Sequence, residues 1–182
     1  VGTPCHARGA VLQGGGAVIF VTVGEQLPFD RLVRAMDQWA GQTGQEVVAQ
    51  VGRTTYQPAH LQASAFLDQE IFLRCLSESS LVVAHAGMGT IITAVESGKP
   101  IIVMPRQASL GEHRNDHQLA TARRFAALHY VRVVHEAAEI CAAIDEMLSS
   151  LDIGPGERKK IDPAPELIHA IREFILASSQ EK

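Results

Sequence analysis

A short turn rich in small residues, His85 to Thr90 (HAGMGT), has the composition of a phosphate-binding loop. It follows an apolar, strand-like run and precedes a helical pattern, so unpaired amides at the start of that helix would point at a ligand. The small side chains would let a diphosphate approach the backbone, while the Thr90 hydroxyl and the His85 imidazole could add hydrogen bonds. The alternative is structural, because Gly87 and Gly89 would also permit tight packing of the strand against the helix.

The same residues do not fit the standard nucleotide-binding and hydrolase motifs. The dinucleotide fingerprint GxGxxG lacks its third glycine, because Ile92 stands at that position, and the turn does not follow the first strand-like run. No GxxxxGK[ST] and no GxSxG motif occurs in the sequence. These findings argue against nicotinamide dinucleotides, Walker-type nucleotide hydrolysis and a serine-hydrolase site.

A second segment, residues 105–122 (PRQASLGEHRNDHQLATA), is polar and follows another strand-like run. Loops at the carboxyl ends of parallel strands form the ligand-binding rim, so its polar groups are candidates to bind sugar hydroxyls. The alternative is a solvated helix start capped by Asn115 or Asp116. His113 and His117 have the spacing of a zinc-binding HExxH pair, but a cation replaces the catalytic glutamate, so no metal site is predicted. The polar residues are Arg106, Glu112, His113, Arg114, Asn115, Asp116, His117 and Gln118.

The elements that must position these loops alternate between short β-branched runs and longer amphipathic stretches, as in a parallel sheet with crossover helices. We therefore predict an α/β fold with a Rossmann-like, doubly wound parallel sheet. Nearly continuous apolar character in the first, fourth and fifth runs favours central strands covered on both faces. Strands are predicted at 18–24, 46–52, 61–66, 80–85, 100–105 and 129–134, and helices at 28–42, 68–78, 89–97, 113–126 and 136–149.

Composition and charge exclude several classes of function. The chain has 182 residues, of which 46% are hydrophobic, enough for the core of one domain. A net charge of −4 leaves no basic surplus for nucleic acid. The 3 cysteines lack metal-site spacing and are typical of reduced thiols in a cytosolic protein. The longest apolar runs are too short to span a bilayer, so membrane contact is expected only through a partner or a surface patch.

The predicted ligand-binding domain spans 18–150, and the two ends of the chain are predicted to lie outside it. Residues 1–17 contain a run of three glycines and are interpreted as a flexible leader. Residues 151–164 are interpreted as a linker, and 165–182 as a C-terminal helix with an apolar stripe. That stripe would pack on its own domain or dock against a second subunit, and the sequence leaves both alternatives open.

The motifs HAGMGT, ESGKPIIVMP and NDHQ, together with an opening IFVTVG followed by Phe29-Asp30, resemble the C-terminal domain of family 28 glycosyltransferases. The resemblance covers roughly residues 18–148 and implies the donor-binding lobe of the two-lobed GT-B fold. It extends to the small stand-alone subunits of this group. These are similar to the catalytic subunit of the split UDP-GlcNAc transferase acting on dolichol and to bacterial counterparts in exopolysaccharide synthesis.

The resemblance implies a site in three parts, for the diphosphate, the uridine and the donor sugar. Many relatives place a ribose-binding glutamate eight residues after the motif histidine, where this chain has Thr93. Either Thr93 contacts the ribose or Glu96, one helical turn further on, reaches it; Glu96 as a plain surface residue is the alternative. Together with the polar segment, the predicted diphosphate residues are Gly24, His85, Ala86, Gly87, Met88, Gly89 and Thr90. The predicted uridine residues are Phe66, Leu67, Thr93 and Glu96, and the predicted sugar residues are Arg106, Asn115, His117 and Gln118.

The function implied is that of an inverting, UDP-sugar-dependent hexosyltransferase that needs no cofactor or metal ion, because helix amides would stabilise the leaving diphosphate. The chain has no room for an acceptor lobe. We therefore expect a separate, membrane-associated subunit at the cytoplasmic face to hold a lipid-linked acceptor and the catalytic base, in polysaccharide or glycolipid synthesis. A non-catalytic nucleotide-sugar-binding regulatory subunit is the alternative. Arg106, His113 and Arg114 leave an acidic donor, such as UDP-glucuronate, as one option.

Overall fold

The computed structural model of the protein describes residues 17–126 and 131–150, which form a parallel sheet flanked by helices. The strands are β1 (Ile19–Thr22), β2 (Val47–Gln50), β3 (Gln62–Ser64), β4 (Leu81–His85), β5 (Ile101–Met104) and β6 (Val131–Val133). The helices are α1 (Asp30–Thr43), α2 (Gln69–Glu78), α3 (Met88–Glu96), α4 (His117–Phe125) and α5 (Glu139–Ser150), with a short 3₁₀ turn at Ala108–Leu110.

The sheet has the strand order β3-β2-β1-β4-β5-β6, and every pairing is parallel. In the centre, Ile19 of β1 lies opposite Val47 of β2 on one side and Leu81 of β4 on the other. The chain winds outward in one direction from β1 and in the other from β4, which confirms the predicted doubly wound Rossmann-like fold. The reversal of strand order between β1 and β4 creates a crevice at their carboxyl ends.

Side chains alternate between two cores because successive residues of a strand point to opposite faces of the sheet. Ile19 and Val21 of β1 belong to a core completed by α1 and α5. Phe20 belongs to the opposite core, which includes residues of α2, α3 and α4. Burial on both faces explains why β1, β4 and β5 are almost continuously apolar, as the sequence indicated.

Three predicted helix starts are wrong by two to four residues, and one of them is that of α5, which begins at Glu139 and not at 136. Helix α1 begins at Asp30 and not at 28. Helix α4 begins at His117, four residues later than predicted, since residues 113–116 belong to the preceding loop. Asp116 occupies the position before α4, but its carboxylate accepts a hydrogen bond from the Ala108 amide and makes no side-chain cap. These polar residues are therefore available to shape a loop at the rim of the sheet.

The predicted leader, apart from its last residue, lies outside the described residues, as do the linker at 151–164 and the helix at 165–182. Within residues 17–126 and 131–150, none of the helices is both long and apolar enough to cross a bilayer.

Candidate functional site

The candidate site is a cavity of about 350 Å³ at the carboxyl ends of β1 and β4, where the strand order reverses. Ligands of open α/β sheets bind at this position. Three loops build its walls: the loop after β1, the turn after β4 and the loop after β5. Its lining residues are Val23, Gly24, Glu25, Gln26, His85, Gly87, Arg106, His113, His117 and Gln118. The structure thus brings together members of the predicted diphosphate and sugar sets.

The turn after β4 presents backbone amides at the start of α3. Gly87 precedes the helix in an extended conformation, and no side chain caps the helix start. Within the described part of the chain, the amides of Met88, Gly89 and Thr90 donate to no backbone or side-chain acceptor. Unpaired amides at a helix start carry partial positive charge and bind anions. This geometry suits a diphosphate.

Two glycines of the site make room for the imidazole of His85. Gly24 has a φ of 75°, and a Cβ atom there would lie 2.8 Å from Cε1 of His85. A Cβ atom at Gly87 would overlap Nε2 of the same ring. At Gly89, by contrast, an added Cβ atom would meet nothing within 4 Å. Packing therefore accounts for Gly87, whereas the absence of a side chain at Gly89 leaves the helix start accessible.

The His85 imidazole is neutral at pH 7. Burial, reinforced by the positive charge of Arg106, lowers the pKa of His85 to about 4. Its Nδ1 atom lies 3.5 Å from the carbonyl oxygen of Thr22. With the proton on Nδ1, Nε2 is a hydrogen-bond acceptor, and only the other tautomer could donate from Nε2 to a phosphate oxygen. His85 therefore contributes shape and a neutral hydrogen-bonding group, and no positive charge.

Arg106 connects the first loop of the site to the third. Its side chain is only 2% exposed, and four of its five guanidinium hydrogens point at backbone carbonyls. The acceptors, at 2.6–3.1 Å, are the carbonyl oxygens of Val23, Leu27, Pro28 and Glu112. Burial lowers the pKa of Arg106 to about 10, which leaves the group charged at neutral pH. This arrangement favours a structural role over the sugar contact predicted for Arg106.

Charged side chains also fix the rest of the loop after β5. The carboxylate of Glu112 accepts two hydrogen bonds from Arg31 of α1, at 2.8 and 2.9 Å, and a third from the Gln107 amide at 3.0 Å. Glu112 was grouped by sequence with the sugar-binding candidates, but this pairing occupies it. The side-chain oxygen of Gln118 accepts from the Arg106 amide at 3.1 Å, so its NH₂ group is the part left for a ligand.

His113, Asn115 and His117 cluster at the start of α4. The two imidazole rings are edge to face with centroids 4.4 Å apart, and the Asn115 side-chain oxygen contacts Nδ1 of His117. Burial, with the nearby His117 and Arg106, lowers the pKa of His113. Across residues 17–126 and 131–150, no group of three or more His, Cys, Asp or Glu side chains is arranged to hold a metal ion. The cluster instead offers hydrogen-bonding groups of the kind that bind sugar hydroxyls.

Comparison with known proteins decides the family. A profile described as the glycosyltransferase family 28 C-terminal domain matches residues 18–169. The chain belongs to this family. The resemblance drawn from HAGMGT, ESGKPIIVMP and NDHQ is thereby confirmed.

Relatives of this family 28 domain include two proteins described as UDP-N-acetylglucosamine transferase subunit ALG13. The protein of Eremothecium gossypii is 34% identical over 89 residues, covering 49% of this chain and 38% of the relative. That of Homo sapiens is 28% identical over 158 residues, covering 81% of this chain and 12% of the relative. The chain thus spans well under half the length of either relative.

Solved structures share the fold of the family 28 domain at low sequence identity. The glycotransferase of kitacinnamycin has a TM-score of 0.64 and 22% identity, covering 99% of this chain and 47% of that chain. The solution structure of ALG13 has a TM-score of 0.57 and 20% identity, covering 88% of this chain and 94% of that one. UDP-GlcNAc 2-epimerase from Neisseria meningitidis has a TM-score of 0.54 and 12% identity, covering 90% of this chain and 45% of that chain. The similarity to a transferase and an epimerase alike establishes the Rossmann-like lobe and not the reaction.

The residues predicted to bind uridine do not line the cavity of the family 28 domain. Phe66 is 51% exposed beyond the end of β3, and the Leu67 amide donates to the side chain of Gln50 at 3.1 Å. The hydroxyl of Thr93 donates to the Gly89 carbonyl at 2.9 Å, and Glu96 is exposed at the end of α3. The uridine contacts therefore stay predictions.

Sequence reasoning missed several residues that the structure places at the site. Glu25 and Gln26 line the cavity from the loop after β1. Arg31 pairs with Glu112 across 81 positions of sequence. The sequence carried only an indirect signal for them, since they lie beside Gly24 and Phe29-Asp30, which the family resemblance had already singled out.

Proposed function

We propose that this domain binds a UDP-sugar, holds the diphosphate at the start of α3, and supplies the donor half of a glycosyltransferase. The observation that carries the proposal is the set of unpaired amides at Met88, Gly89 and Thr90, beside the open space at Gly89. Membership of family 28 supports the same reaction class. The polar cluster at the start of α4 lies on the cavity wall at a position suited to the sugar.

The proposed chemistry is a direct displacement at the anomeric carbon with inversion. An acceptor hydroxyl attacks that carbon, the bond to the diphosphate oxygen breaks, and UDP leaves with the electron pair. The amides of α3 and the Thr90 hydroxyl stabilise the negative charge that develops on the diphosphate. These groups do so without a metal ion. The proton of the acceptor hydroxyl passes to a base outside this lobe.

The relatives support a proposal for the donor and the partner. Proteins named UDP-N-acetylglucosamine transferase subunit ALG13 suggest UDP-GlcNAc or a related UDP-hexose as the donor, and the word subunit suggests a partner. We propose that a membrane-associated partner holds a lipid-linked saccharide acceptor at the cytoplasmic face, in polysaccharide or glycolipid synthesis. The predicted helix at 165–182 is a candidate to dock against this partner.

Calorimetry with UDP and UDP-GlcNAc tests the donor site. Gly89→Val should weaken UDP binding by about 100-fold, because the branched side chain would occupy the space beside the amides, and such a loss equals about 2.8 kcal/mol. The fold should persist, since nothing lies within 4 Å of an added Cβ atom. Ala142→Val, at an exposed position on α5, is the matched control.

Two outcomes would contradict the donor site: folded wild-type protein that does not bind millimolar UDP, or undiminished UDP binding by Gly89→Val. Binding alone does not separate a transferase from a nucleotide-sugar-binding regulatory subunit. Sugar transfer that appears on addition of an acceptor-binding partner supports the enzyme, whereas a complex that binds UDP-sugar and never transfers it supports regulation.

A further inference from the structure

A second cavity, of about 440 Å³, lies beside the candidate donor site. Gln26 and His113 line both cavities, so the two are neighbouring parts of one cleft. The second cavity extends away from the glycine turn toward the loop after β2 and the loop after β5. Its lining residues are Gln26, Leu27, Arg53, His113, Arg114 and Asn115.

The wall of this second cavity carries two cations and no acid. Arg53 and Arg114 are exposed, and in the part of the chain that the structure describes neither forms a hydrogen bond or an ion pair. The remaining polar lining consists of two amide side chains and an imidazole. This local excess of positive charge is notable in a chain with a net charge of −4. Unpaired arginines on a concave surface attract phosphate and carboxylate groups, which they bind with paired hydrogen bonds.

Neighbouring residues of α1 anchor the two loops that carry these arginines. The Asp30 carboxylate accepts hydrogen bonds from the hydroxyls of Thr54 and Thr55, at 2.5 and 2.6 Å, next to Arg53. Although burial alone would raise it, these hydrogen bonds lower the pKa of Asp30. Arg31 holds the other loop through Glu112, two positions before Arg114. Both loops are therefore anchored close to their arginines, which reduces the conformational entropy that the loops lose when a ligand binds.

The wall shared by the two cavities contains an unsatisfied polar atom. Nδ1 of His113 is buried and has no hydrogen-bond partner among the described residues. A buried nitrogen without a partner destabilises the fold, so such atoms usually face a ligand or a water molecule. His113 lines both cavities, so its ring stands at the junction between the two parts of the cleft.

We propose that the cavity between Arg53 and Arg114 binds an anionic oxygen group of a substrate, a phosphate or a carboxylate, next to the donor site. Two sources share this chemistry: the carboxylate of an acidic donor sugar and the phosphate of the acceptor. This inference rests on the proposed function only in naming the adjacent cavity as the donor site, because the charge and shape of the second cavity do not depend on the turn at Gly89.

Calorimetry on the full chain with two probes tests this site and identifies the source. UDP-glucuronate, compared with UDP-glucose, probes a donor carboxylate, and geranyl diphosphate at saturating UDP probes an acceptor phosphate. The variant Arg53→Gln/Arg114→Gln removes both cations, and Arg123→Gln/Arg132→Gln removes two exposed arginines elsewhere. We expect the first variant to bind one of the two probes about tenfold more weakly, or weaker still. Affinity for UDP alone should change less than about twofold, and the second variant should bind like wild type.

The outcomes separate the two proposals. Selective loss of UDP-glucuronate binding assigns the cavity to the donor sugar, and loss of geranyl diphosphate binding assigns it to the acceptor. The anion site is overturned if the Arg53→Gln/Arg114→Gln variant binds both probes as tightly as the wild type does. It is also overturned if the wild type binds UDP-glucuronate no more tightly than UDP-glucose and does not bind geranyl diphosphate. Failure of UDP to bind would instead refute the donor site, and the geranyl diphosphate measurement without UDP would still test the arginines.

Discussion

The glycine turn at 85–90 and the polar loop at 105–117 line the same cavity, yet they are held in opposite ways. The turn is positioned by its strand and helix, with the His85 ring fitted against Gly24 and Gly87. The loop is held by charged side chains that reach distant backbone, above all Arg106 and the pair of Arg31 with Glu112.

The difference explains what each region can offer a ligand. In the turn, small residues leave the backbone amides at the start of α3 unpaired. In the loop, Arg106 and Glu112 are occupied in holding the chain, so the other side chains that line this cavity from this region are those of His113, and of His117 and Gln118 at the start of α4. One half of the proposed site therefore offers a ligand its backbone, and the other half offers its side chains.

The largest effect is expected from Arg106→Leu, which removes the support of the polar loop. Four backbone carbonyls, one buried and three partly buried, would lose their donor, and we expect the free energy of unfolding to fall by about 4 kcal/mol. Urea denaturation measures this loss, with Arg123→Leu as a control at an exposed arginine on α4. Arg106→Lys should restore little of the lost stability, because an ammonium group cannot reach all four carbonyl acceptors. Wild-type stability in Arg106→Leu would show that the loop is held by other contacts.

A smaller effect is expected from acid, and it tests the turn. Because the pKa of His85 is lowered to about 4, the folded state binds fewer protons than the unfolded state between that pH and the unfolded value near 6.5. Stability is therefore full above about pH 6.5 and falls as the pH drops toward 4, by about 3 kcal/mol in total. His85→Gln should lose this part of the pH dependence. His135→Gln, at an exposed position, should keep it, and equal slopes in wild type and His85→Gln would contradict the assignment.

Local pattern was enough to predict most of the fold. Each strand of the sheet falls within a predicted run. The signal is strongest in β1, β4 and β5, because residues buried on both faces of the sheet leave a nearly continuous apolar signature. The glycine turn after β4 was readable because small residues between a strand and a helix are a local feature. Helix α4 was placed too early because residues 113–116 are polar in either a helix or a loop.

The supports of the site could not be predicted, because they join residues far apart in sequence. Arg106 contacts the carbonyl of Val23 across 83 positions, and a single sequence contains no trace of that pairing. By type and position Arg106 looked like a ligand-binding residue. Its burial under the loop after β1, which only the folded chain reveals, shows that four of its guanidinium hydrogens hold backbone carbonyls.

The smallest effect is expected from Glu112→Gln, which sharpens the division between the two regions. The variant keeps the shape of the side chain and removes the charge that pairs with Arg31, a pair that is largely but not fully shielded from solvent. We expect a stability loss of about 1 kcal/mol. Loosening the loop should weaken the contribution of the sugar to the binding free energy more than that of the diphosphate. The affinity for UDP-GlcNAc should therefore fall while the affinity for UDP stays constant. Calorimetry with both ligands, and Glu136→Gln as an exposed control, distinguishes this result from a general loss of binding. An equal decrease for both ligands would mean that the polar loop also supports the glycine turn.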